Sequence, residues 1–105
     1  MIRHIVLTKF QPDVPEERIA RIYADLAALT ERLPGAHGFR GGRSESPEQI
    51  ERGYKHAFTI DFDDWDALAH YADHPEHRAL GAQLVENSVG GLDGLAVLDL
   101  ELPDA

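Results

Sequence analysis

Residues 2–10 open the chain with a run of apolar and β-branched side chains, the pattern of a strand. One parity carries His4, Val6, Thr8 and Phe10, and the other carries Ile5 and Leu7. Pro12 and Pro15 interrupt the run. A helix is expected after them, with Asp13 as its cap and Glu16 three residues on completing a capping box. Ile19, Ile22, Tyr23, Leu26, Leu29 and Leu33 then recur at spacings of three and four, the stripe of a half-buried helix that Pro34 and Gly35 end. Residues 36–45 read as a strand in which Gly38, Gly41 and Gly42 suggest a bulge or a close backbone approach. A polar loop follows over 46–53. Residues 54–62 alternate, with His56, Phe58, Ile60 and Phe62 on one face and Lys55, Thr59 and Asp61 on the other. Asp63 or Asp64 caps a helix carrying Trp65, Leu68, Ala69 and Ala72. It must stop near His74, because the residue before Pro75 disfavours helical backbone. A further helical stretch from Glu76 to about Asn87 holds Leu80, Leu84 and Val85 on one side. Gly90 and Gly91 break it, and residues 92–102 read as the last strand.

This order, β-α-β-β-α-β with the second helix broken at Pro75, predicts an α+β chain with a ferredoxin-like protomer, one domain over residues 1–105. Its helices lie on one face of the sheet. Phe10, Phe58, Ile60 and Phe62, with the run from Leu95 to Leu98, are too apolar for the other face to be left in water. A second copy of the sheet is the expected cover, which makes the partner the chain itself in a two-fold homodimer.

Charge and composition narrow the function. Ten Lys and Arg stand against 19 Asp and Glu, a formal charge of −9. No basic patch suited to nucleic acid or an anionic membrane is visible. Cysteine is absent, which excludes disulfides, thiolate nucleophiles and Cys-based zinc sites. No apolar run approaches the 18 residues of a membrane span, the first residues lack the features of a signal peptide, and a cytoplasmic location is expected.

The chemistry rests on six histidines, at positions 4, 37, 56, 70, 74 and 77. His37 and His70 fit solvated positions, and His74 fits a helix-end cap. His4 and His56 sit on strand faces that also carry apolar residues. They are expected to meet Tyr71, His74 and His77 at one end of a cavity. His74 and His77 are three apart, but the break at Pro75 spoils the geometry that would let them hold a metal together; no metal and no other cofactor is expected. Acid–base chemistry suits the set better. A histidine can take a proton from carbon next to a carbonyl, and a tyrosine hydroxyl can hold the carbonyl oxygen as charge develops. Tyr71 and His77 flank the break and form the candidate catalytic pair. His4, His56, His74 and Phe58 are the candidate substrate contacts, for a small hydrophobic carbonyl compound. Neither a G-x-S-x-G elbow nor a phosphate-binding loop is present.

Three segments taken together, His4-Ile-Val-Leu-Thr-Lys-Phe10, Gly53-Tyr-Lys-His56 and His74-Pro-Glu-His77, resemble the stress-responsive dimeric α/β-barrel family, Dabb. The resemblance covers nearly the whole chain. It implies a ferredoxin-like protomer whose dimer closes two sheets into a barrel. In the family's polyketide cyclases, which act by an aldol-type step, the pattern is a histidine base with a tyrosine six residues earlier. Those positions are His77 and Tyr71 here, and the family's strand histidines fall on His4 and His56. The residues that would hold a long alkyl chain are not recognisable. A small-molecule-binding stress-response protein, a cyclase or isomerase, and a cofactor-dependent monooxygenase on a related barrel are the three functions the resemblance leaves open.

Overall fold

A computed structural model describes residues 1–103. The elements run β1 (Ile2–Thr8), α1 (Glu16–Arg32), β2 (Ala36–Arg43), β3 (His56–Phe62), α2 (Trp65–Asp73), α3 (Pro75–Glu86), a short 3-10 turn (Gly91–Gly94) and β4 (Leu95–Glu101). The strands form one antiparallel sheet in the order β2-β3-β1-β4. This is the ferredoxin-like arrangement, as expected.

The core forms where two periodicities meet. On β1 and β3 every second residue is buried, including Ile2, Val6, Phe58, Ile60 and Phe62. On α1 the stripe Ile19, Ile22, Tyr23, Leu26 and Leu29 is buried against them, joined by Tyr71, Leu80 and Leu84 from the other helices. Phe58, Ile60 and Phe62 therefore lie beneath the helices in the protomer's own core. They do not form the uncovered face, contrary to the expectation from sequence. Alternation reveals that β3 has two unlike faces but not which of them the helices cover. The uncovered face carries Ile5, Leu7, Ala57, Thr59, Leu98 and Leu100, with Arg3 paired bidentately to Asp61 directly across β1 and β3.

Local details depart from the sequence reading at element ends. β1 stops at Thr8, and Phe10 makes only an isolated bridge to Ser88. Pro15, not Asp13, occupies the position before α1 and no side chain caps the helix, so the capping box does not form. Asp64 does cap α2, accepting from the Ala67 N–H at 2.8 Å. The last strand is shorter than expected, because Leu92 to Gly94 belong to the 3-10 turn. Residues 44 and 45 fall outside β2, where the expected bulge lies between His37 and Arg40.

Candidate active site

The break at Pro75 is what assembles the site. Pro75 has no N–H to donate and fits the first position of α3, while His74 closes α2 and caps α3, its Nδ1 accepting from the Glu76 N–H at 3.1 Å. Across this bend Tyr71, the last buried residue of α2, meets His77 in the first turn of α3, with ring centroids 4.3 Å apart. His77 Nδ1–H donates to the Ala72 carbonyl oxygen at 3.1 Å. A carbonyl can only accept, so this bond fixes the neutral tautomer and leaves the lone pair on Nε2. Burial holds the His77 imidazolium below its ordinary pKa of 6.5; the Ala72 bond opposes this and the nearby His4, Arg78 and His74 add to it. The ring is therefore a neutral base at neutral pH.

Both residues line a cavity of about 310 Å³ between the helices and the sheet. Its walls are apolar, with Val6 and Phe58 from the sheet, Leu26 from α1 and Leu84 from α3 among them. His4 is the remaining polar side chain of the wall. The Tyr71 hydroxyl is buried and makes no hydrogen bond among the described residues, and burial raises its pKa, so it stays protonated as a donor. The Tyr71 ring sits among His4, Phe62 and His77 at centroid distances of 5.9, 5.1 and 4.3 Å.

His4 is held from the far side. Its Nδ1–H donates to Asp99 Oδ1 at 2.6 Å, and these two residues are direct partners across β1 and β4. Asp99 was not singled out from sequence. Only the sheet register, joining residues 95 positions apart, brings it to His4; an acid inside the apolar run of the last strand is the one local signal.

Of the sequence candidates, the structure gathers His4, Phe58, Tyr71 and His77 around one cavity. His74 is engaged as a helix cap and does not line it. His56 lies elsewhere. It pairs with Thr8 at the far end of β1, its Nε2 bonds the Glu16 carboxylate at 3.1 Å, and its ring packs on Phe10 at 5.2 Å. The expectation that His56 shares the cavity with His4 is thus corrected. Both point to the helix side, but His4 faces Ile60, four residues further along β3, a separation of roughly 13 Å at strand rise. His37 is exposed and pairs with Asp63. Among the described residues no three His, Asp or Glu side chains gather as a metal site, and no helix is long and apolar enough to cross a membrane.

Known proteins share this arrangement of strands and helices. A dimeric ferredoxin-like protein of unknown function from Jannaschia sp. CCS1 is 36% identical and superposes with a TM-score of 0.90, covering 96% of this chain and 98% of that one. The stress-response A/B barrel domain-containing protein HS1 of Arabidopsis thaliana is 29% identical over 98 residues, 93% of this chain and 86% of the relative. Olivetolic acid cyclase of Cannabis sativa is 21% identical over 80 residues, 76% of this chain and 79% of the enzyme. With residues 2–101 matching the model of the stress-responsive A/B barrel domain, the chain belongs to the Dabb family.

Proposed function

We propose that this protein binds a small neutral carbonyl compound in the cavity and moves a proton at the carbon beside the carbonyl. The observation that carries this reading is the pairing of His77 and Tyr71 on one apolar cavity, with the His77 lone pair fixed on Nε2 by the Ala72 bond. His77 takes the C–H proton. The Tyr71 hydroxyl, otherwise unpartnered, donates to the oxygen as the enolate forms. His4, oriented by Asp99, supplies a second polar contact. An aldol-type cyclisation, an isomerisation and a β-elimination share this first step. That olivetolic acid cyclase is a relative supports the class of chemistry, and the substrate is inferred from the cavity alone.

Two features define the ligand. Among the described residues no Lys or Arg lines the cavity, so a carboxylate or phosphate finds no guanidinium or ammonium counter-charge there. The volume lies at the lower end of ligand pockets, which favours a compact molecule. The uncovered sheet face, with Leu98 45% and Leu100 42% exposed, supports a homodimer joined face to face, and the Jannaschia relative is described as dimeric.

Proton abstraction is read directly by NMR as exchange of the α-hydrogens of small aryl and alkyl ketones in deuterated water. The wild type should accelerate exchange, and His77→Ala should lose about 10²–10⁴-fold of that acceleration while remaining folded. Exchange at the buffer rate, with no shift of resonances from Tyr71, His77 or Phe58 on adding any ketone, would refute the reading.

A further inference from the structure

Gly81 occupies the middle of α3, where glycine weakens a helix. Most other glycines have a visible cause, and the exception, Gly42 on the edge strand β2, does not line this cavity. Gly90 and Gly91 adopt left-handed backbone at φ +70° and +65°, and a Cβ at Gly41 would stand 2.9 Å from the Tyr23 ring. Gly81 has neither cause: its φ is not left-handed, and a Cβ built there meets nothing within 4 Å. The position is nevertheless not on the outer surface of the helix. It lies one turn after His77 and one turn before Val85, and all three line the cavity. Because Cβ atoms tilt toward a helix's N-terminus, a side chain at 81 would project over the cavity toward the His77 ring.

We infer that Gly81 is a specificity-determining residue: its missing side chain keeps open the space beside His77 and so sets the bulk that a ligand can carry next to the carbon losing its proton. The inference rests on the cavity being the ligand site. A ligand with a branched or aromatic substituent at that carbon would place it over Gly81. An unsubstituted one would leave the space empty. The α-helix is weakened locally in exchange for that room, a trade typical of functional sites.

Two variants, Gly81→Ala and Gly81→Leu, test this by melting temperature and by binding of two neutral probes, acetophenone as the small one and deoxybenzoin, which carries a phenyl group on its α-carbon, as the large one. Gly81→Ala should raise the melting temperature by about 2–8 °C, since helix propensity improves and nothing is displaced. Gly81→Leu should retain acetophenone within about threefold and weaken deoxybenzoin at least tenfold. If Gly81→Ala melts lower than wild type, position 81 is packed in solution and the inference fails. If Gly81→Leu binds both probes as wild type does, the inference fails while the ligand site stands. If the wild type binds neither probe, the ligand-site reading itself falls, and this inference with it.

Discussion

Tyr71→Phe should make the protein more stable and less active at once. The substitution removes one oxygen and keeps the ring, so the contacts with His4, Phe62 and His77 at 5.9, 5.1 and 4.3 Å survive. What disappears is a buried hydroxyl with no partner among the described residues. Leaving such a group unpaired costs about 1–3 kcal/mol. A domain of this size gains about 4–8 °C in melting temperature per kcal/mol, so the variant should melt at least about 4 °C higher. Loss of one preorganised donor to a developing oxyanion lowers turnover by about 10²–10³-fold, equivalent to about 2.7–4 kcal/mol. Scanning calorimetry and the deuterium-exchange rate measure the two effects on the same samples. A variant that melts several degrees lower than wild type would refute the reasoning, because the hydroxyl would then be hydrogen-bonded in the native protein and would serve structure. Unchanged exchange in a ketone that wild type processes would separately remove Tyr71 from the chemistry.

The depressed pKa of His77 sets two pH dependences. The exchange rate should be flat above about pH 6.5 and fall as pH drops through the lower folded-state value, because only the neutral ring accepts a proton. Between the folded value and 6.5 the unfolded chain binds more protons at His77, so its contribution to stability is complete above 6.5 and is lost on acidification; His77→Gln should flatten that part of the stability profile. On the uncovered face, Leu98→Asp should shift the protein to a folded monomer by light scattering, and a mass unchanged at micromolar concentration would count against the proposed dimer. Phe58→Asp, which buries a carboxylate in the core, should instead abolish the folded signal in circular dichroism.

Periodicity made most of the fold legible. The stripe on α1, the alternation of β3 and the stop at Pro75 each reflect a local backbone rule, and each appears where expected. The covered face of the sheet was not legible, because both faces carry apolar residues: Ile5, Leu7 and Leu98 on one, Val6, Phe58 and Ile60 on the other. Tyr71 and His77 could be paired from sequence because the bend between them is itself a local signal. His56 was wrongly placed with them, since parity gives the face of a residue but not its position along the strand. Asp99 depends on register between the two ends of the chain. Gly81 is illegible in the sequence for a different reason: its contribution is a space, and a missing side chain leaves no pattern of polarity to read.

The bulge between His37 and Arg40 bears on how copies of the chain can meet. It interrupts the ladder on β2, an edge strand of the sheet, and Gly38 there turns through left-handed backbone. The opposite edge, β4, carries Asp99 and Glu101 in alternate positions. An incoming strand would find a broken template on one side and acidic side chains on the other, so edge-to-edge growth into fibrils is disfavoured. Association is thereby steered away from open-ended polymers and toward contacts that close on themselves, and the chain can expose apolar sheet surface during synthesis with less risk of irreversible aggregation.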